Sequence, residues 1–147
     1  LLGPLLQEKN LRLEIDFPDR LPQLELDPEL IRRILVNLLG NAIKFSDRGD
    51  ILLRGSFQAA DRTGGRLVLN VIDNGPGISR KYRRKIFDPF VRDHRHAGSG
   101  SGTGLGLYIT MQLVKLMDGV IELKSETGKG CCFTVTFPDI KYTPETD

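Results

Sequence analysis

Between Asp27 and Ser46, apolar and polar positions repeat with the period of a helix. Leu30, Ile31, Ile34, Leu35, Leu38, Leu39, Ala42 and Ile43 recur at spacings of three and four and so line one face. Asp27-Pro28 marks the start, with Asp as N-cap and Pro at the first helical position, where no backbone N–H is needed. A second helical run, Leu105–Met117, carries Leu107, Ile109, Leu113, Val114 and Met117 and is stopped by Asp118-Gly119. The segments around these helices read as strands. Leu11–Phe17 alternates strictly. Ile51–Ala59 and Arg66–Asp73 predict a hairpin about Asp61-Arg62-Thr63-Gly64-Gly65, and Val120–Ser125 with Cys131–Phe137 a closing hairpin about Thr127-Gly128-Lys129-Gly130. Ser79–Phe87 predicts a short basic helix, His94–Thr103 a Gly/Ser loop, and Pro18 to Pro22 another loop. From Pro138 onward the pattern reads as a polar tail.

Strands joined by hairpins and mixed with two long helices predict an α/β fold, a two-layer sandwich. Helices cover one face of a mixed, mostly antiparallel sheet. The regular alternation of a doubly wound fold is missing. The expected organisation is a stub or linker over 1–10, one domain over 11–138 and a polar tail over 139–147.

Composition narrows this picture. The chain has 147 residues, 39% hydrophobic and 27% charged, ordinary for a soluble globular domain. No window approaches the ~20 apolar residues of a membrane span, so a membrane-spanning or secretory reading of this segment is excluded. Without an initiator Met, the chain is expected to be a piece of a longer protein. Cys131 and Cys132 are adjacent, which disfavours a bridge between them, and no Cys/His cluster has zinc spacing. They are expected to be reduced thiols in a strand of a cytosolic protein. The net charge of +2 hides a contrast: Arg80–Arg95 holds seven basic residues against two acidic ones. Such a block suits a solvated face, nucleic acid, a membrane surface or nucleotide phosphates. Its single Tyr and two Phe make a poor stacking platform for nucleic acid.

Three constellations carry candidate chemistry. Asn37, Asn41 and Lys44 lie at i, i+4 and i+7 and share a helix face within about 60°. They are either a polar edge or two amide oxygens for Mg²⁺ with a cation for phosphate. Asp73-Asn-Gly-Pro-Gly-Ile78 follows an apolar strand. It is either a plain turn or a carboxylate that accepts a hydrogen bond from a base's amino group. Gly98–Gly106 holds five glycines in nine residues and runs into the second helix. It is either a flexible linker or a backbone cradle for phosphate at a helix N-terminus. No Gly-Lys-Ser/Thr follows, so it is not a Walker A loop, and no strand precedes it, so a dinucleotide-binding reading fails.

In this order and spacing, these segments resemble the ATP-binding catalytic domain of sensor histidine kinases. That domain belongs to the superfamily that includes gyrase, a heat-shock chaperone and MutL. Asn37–Ser46 resembles the N box, Asp73–Ile78 the first glycine box, Phe87-Asp-Pro-Phe90 the F box, and Gly102–Leu107 the second glycine box. Thr127–Gly130 resembles the hairpin before the last strand. The resemblance implies the Bergerat-type fold, with ATP and Mg²⁺ bound. Asp73 then reads the adenine amino group, and Asn37 and Asn41 hold Mg²⁺. Asn37, Asn41 and Lys44 form the catalytic set. Phe45, Gly75, Gly77 and Ile78 line the pocket, and Gly102, Thr103, Gly104, Leu105, Gly106 and Leu107 form the phosphate loop. Residues 79–103 form a mobile ATP lid anchored by Phe87 and Phe90, from which Arg92 or Arg95 reaches phosphate.

The implied function is transfer of the γ-phosphoryl group to a histidine on a separate dimerisation domain, for relay to a response regulator. Water-hydrolysing members of the superfamily carry Glu where Asn37 stands. Asn37 is neutral and takes no proton, which points to transfer rather than hydrolysis. The histidines here, His94 and His96, lie in the implied lid, outside any phosphoacceptor pattern, so the acceptor is expected on another domain. Leu1–Asn10 is expected to be the stub of that domain's last helix. Cys131-Cys132 stands where the family often has Ser or Thr, which bears on adenine binding. The implied setting is cytoplasmic, the inner part of a membrane sensor protein, with no nucleic-acid partner. The competing reading is a degenerate regulatory module that binds little or no ATP and acts through protein contacts.

Overall fold

Two strands at the centre of one sheet organise the domain: β4 (Gly64–Asp73) and β6 (Cys131–Thr143). The computed structural model describes residues 2–46, 49–90 and 105–144. The other elements are α1 (Gly3–Glu8), β1 (Leu11–Asp16), β2 (Gln23–Leu24), α2 (Pro28–Phe45), β3 (Gly49–Ala59), α3 (Arg80–Arg83), α4 (Gly106–Leu116) and β5 (Val120–Ser125). The sheet runs β1-β3-β4-β6, with β5 and β2 also paired to β6. Among the described residues only β1 with β3 is parallel, and every other pairing is antiparallel. This is the expected mixed sheet.

The period-two pattern divides its faces. Ile51, Leu53, Leu67, Leu69, Val71, Phe133, Val135 and Phe137 are buried and meet the apolar stripe of α2 and the inner face of α4 in one core. The alternate positions include Arg54, Asn70 and Thr134, and Thr134 Oγ1 donates to Asn70 Oδ1 at 2.8 Å on that opposite face. Asp27 caps α2 as expected, its carboxylate accepting from the N–H groups of Glu29 and Leu30 at 3.0 and 3.3 Å.

Two expectations need correction. The polar tail from Pro138 is instead the continuation of β6 to Thr143. Leu67 pairs with Phe137 and Gly65 with Ile140, so Pro138 and Asp139 share one place opposite Arg66. A bulge tolerates a proline that has no N–H to give the ladder. Beyond it Ile140 is buried, the Tyr142 ring meets Phe57 edge-on at 5.3 Å, and Tyr142 Oη donates to the Asp61 carbonyl. The loop expected over 18–22 is present, and it leads directly into the short strand β2, which pairs with Tyr142 and Thr143. The basic helix expected over Ser79–Phe87 is a single turn, α3.

One outcome tests this extension and a second tests the β3–β4 turn beside it. Ile140 is 7% exposed, so Ile140→Ala is expected to lower the unfolding free energy in urea by about 2–4 kcal/mol, where a free tail would show no change. The Asp61 carboxylate in the β3–β4 turn accepts from Thr63 N–H, Thr63 Oγ1 and Gly64 N–H, and the Thr63 backbone bond leads in holding its pKa below the ordinary carboxylate value. A depressed folded pKa means that this turn's contribution is present at neutral pH and is lost as pH falls through that lowered pKa. An NMR titration of the Asp61 side chain checks the direction.

Candidate functional site

Asp73 ends β4, and its carboxylate is drawn into the protein: the residue is only 3% exposed. A buried carboxylate needs donors, and Gly75 N–H supplies one to Oδ1 at 2.9 Å. Asp73 pairs across the ladder with Cys131, whose Sγ lies 3.3 Å from Ser125 Oγ. The serine is a small hub. Its hydroxyl accepts from Ile78 N–H at 2.7 Å and lies 2.9 Å from the Gly130 carbonyl, to which it donates.

The glycines here have a sharper reason than ligand approach. A Cβ on Gly77, at φ +77, would strike the Glu126 carbonyl, and one on Gly130, at φ +83, would strike the Asp73 carbonyl. One on Gly75 would stand 2.8 Å from the Phe45 carbonyl. The loop after β4 therefore presses backbone to backbone on the β5–β6 turn and on the end of α2, and Gly128 N–H donates to the Pro76 carbonyl at 2.6 Å. Ile78, expected to line a pocket, has its side chain in the core.

On α2, Asn37, Asn41 and Lys44 are all half-buried. Asn37 Nδ2 donates to Thr110 Oγ1 at 3.2 Å, and Thr110, fully buried on α4, donates in turn to the Gly106 carbonyl at 2.8 Å. That bond joins the two long helices and orients the Asn37 amide. Lys44 Nζ stands 5.2 Å from the ring centroid of buried Phe45, a cation–π contact. Leu105, Gly106 and Leu107 open α4, whose N-terminus has no side-chain cap. Arg92, Arg95, Gly102, Thr103 and Gly104 lie outside the described residues.

Of the two expected lid anchors, Phe87 meets Phe133 edge-on at 6.1 Å, and Phe90 is 71% exposed, at φ +66, next to residues outside the described ones. The basic block is not all solvated either, since Arg83 donates to the Ser125 carbonyl. Among the described residues no three His, Cys, Asp or Glu side chains cluster to hold a metal, and no helix is long and apolar enough to cross a membrane. Sequence reasoning missed Thr110 and Ser125. Thr110 had a signal, a lone hydroxyl in the apolar stripe of α4, and Ser125 had none.

Comparisons with known proteins give the family and the fold. The family described as histidine kinase-, DNA gyrase B-, and HSP90-like ATPase matches residues 26–141. The adaptive-response sensory kinase SasA of Crocosphaera subtropica is 38% identical over 135 residues, 91% of this chain and 34% of that protein. The circadian input-output histidine kinase CikA of Synechococcus elongatus is 38% identical over 136 residues, covering 91% of this chain and 17% of that protein. The chain thus spans only a minor part of these curated relatives. Full-length ShkA, solved in complex with AMPPNP, superposes with a TM-score of 0.82 at 33% identity, over 97% of this chain and 28% of that one. The catalytic domain of the histidine kinase ThkA superposes at 0.75 over 93% of this chain and 84% of that one; at 24% identity this likeness carries the fold alone.

Gly130→Ala is expected to push the Asp73 backbone aside and to cost about 1–3 kcal/mol of stability, because it adds both a collision and a left-handed backbone strain. Chemical denaturation measures the loss, and amide shifts at Asp73 and Gly75 report the displacement.

Proposed function

The chain belongs to the family of histidine kinase-, DNA gyrase B- and HSP90-like ATPases, and on that premise we propose that it is the ATP-binding catalytic domain of a two-component sensor histidine kinase. The observation that carries this reading is the buried Asp73 carboxylate, fixed at the end of a central strand and facing a glycine-locked loop beside the α2 residues. A carboxylate accepts and cannot donate, so it selects the exocyclic amino group of adenine over the carbonyl of guanine at the same place. Gly75, Gly77 and the α2 end around Phe45 form the walls near it.

The α2 residues suit the phosphates. With Nδ2 of Asn37 donating to Thr110, its Oδ1 is the atom left for a cation, and Asn41 offers a second amide one turn on. Two neutral hard oxygens, with no acidic cluster among the described residues, fit Mg²⁺, which keeps waters and phosphate oxygens in its shell. Bound Mg²⁺ would neutralise and align the phosphates. Lys44 adds a point charge, and the uncapped N–H groups of α4 add donors. In the reaction, a ring nitrogen of a histidine bonds to the γ-phosphorus as the bond to the β,γ-bridging oxygen breaks and ADP leaves. Positioning and charge neutralisation supply most of that catalysis. A neutral Asn37 gives water no general base, so transfer is favoured over hydrolysis.

The acceptor histidine belongs to a dimerisation helical domain elsewhere in the parent protein, and a response-regulator receiver domain takes the phosphoryl group next. The parent places this domain in the cytoplasm, and any membrane contact is made by its other parts.

Calorimetric titration of the chain with Mg·ATP tests the pocket. Asp73→Asn keeps an acceptor for Gly75 but sets an amide against the adenine amino group, so affinity is expected to fall at least tenfold, about 1.4 kcal/mol. Unchanged affinity refutes the assignment, and a chain that binds no nucleotide restores the degenerate-module reading. Steady ATP turnover that disappears in Asn37→Ala would make the domain an ATPase instead.

A further inference from the structure

We propose that Lys9 is a positioning residue of the nucleotide site, locking the last turn of α2 to the segment that enters the domain. Its Nζ lies 3.0 Å from the Ile43 carbonyl, 2.7 Å from that of Lys44 and 3.3 Å from that of Ser46. The reason lies in how α2 ends. A helix leaves its final carbonyls without intrahelical partners, and a glycine in the left-handed conformation usually helps to satisfy them. Here the C-cap is Ser46 in an extended conformation, φ −100 and ψ 134, and its N–H reaches only the Ala42 carbonyl. An ammonium with three donors reaches three carbonyls at this end of the helix, where the dipole favours a cation.

Lys9 is itself held in place. Leu2 and Leu6 pack on the core. Asn10, at φ +56, ends α1 with its N–H donating to the Gln7 carbonyl at 3.1 Å and turns the chain into β1. The same last turns of α2 carry Asn41, Lys44 and the Phe45 carbonyl that abuts Gly75. One side chain therefore connects the entering segment with both the phosphate face of α2 and the loop beside Asp73. Shifting residues 2–9 withdraws three donors from the α2 end and loosens Lys44. By linkage, nucleotide that orders this end must equally hold the entering segment. This proposal rests on the nucleotide-binding reading of α2.

The test uses the whole chain, Mg²⁺ and a non-hydrolysable ATP analogue, well below the melting temperature of every variant. Lys9→Met keeps the apolar stem and removes the donors. We expect its affinity to fall about fivefold or more, and amide exchange over 43–46 to quicken. Lys9→Arg, which can reach the same carbonyls, is expected to restore most of the affinity. Saturating nucleotide should slow amide exchange over 5–10 in the wild type but not in Lys9→Met. A purely structural role would lower the melting temperature and leave both nucleotide readouts unmoved, which overturns the proposal. Binding that Asp73→Asn weakens and Lys9→Met does not removes Lys9 alone. A wild-type chain that binds no analogue removes the nucleotide reading, and this inference falls with it.

Discussion

A carboxylate kept out of water at the end of a central strand sets the terms for the structure around it. Burial of an unpartnered charge costs several kcal/mol, so the chain near Asp73 must deliver donors and close around it. β4 has a strand on each side, so the carboxylate cannot drift sideways. The Gly75 N–H reaches back to it, and the β5–β6 turn closes over the backbone. That closure demands glycine at 77 and 130, since each Cβ would meet a carbonyl. Glycine enrichment at this place is a packing requirement before it is a ligand requirement.

Apolar burial drives the helices onto the sheet but is non-directional and does not set their register. A few buried polar contacts do. Asn37 to Thr110 fixes α2 against α4, Ser125 fixes the loop after β4 against the hairpin, and Lys9 fixes the end of α2 against the entering chain. Each adds a directional bond to the contact, so misplacing either element costs a hydrogen bond as well as packing. The residues assigned to phosphate and metal thus stand on elements whose positions are specified by directional bonds.

The same bonds shape the chemistry proposed here. Thr110 takes the donor end of the Asn37 amide and leaves the oxygen for a cation. A glutamate at that place would bring a proton acceptor to the phosphates, whereas the amide brings only a dipole. Under the proposed function, such a domain aligns ATP and takes its nucleophile from another domain.

Much of this was legible in the chain itself. The alternation of 51–59 and 66–73, the Asp27-Pro28 start and the stripe from Leu30 to Ile43 reflect local rules of period and capping, and they predicted β3, β4 and α2 nearly to the residue. The Asn-Asn-Lys face and the Asp-Asn-Gly-Pro-Gly turn stood out by residue type and spacing, which alone left a polar edge and a plain turn open, and only the family resemblance gave them roles. The strand beyond Pro138 was not legible, because a bulge opposite Arg66 is what lets a proline stay in a sheet. The F-box pattern did not say which ring faces the core, and of the two it is Phe87 that packs on Phe133. Lys9, Thr110 and Ser125 gave little or no warning, since their partners lie 34 to 37, 73 and 47 residues away. The sequence by itself determined the elements and the kinds of atoms offered to a nucleotide. Only the tertiary structure decided which of those atoms are pinned, because a buried donor finds its acceptor through the packing of distant segments.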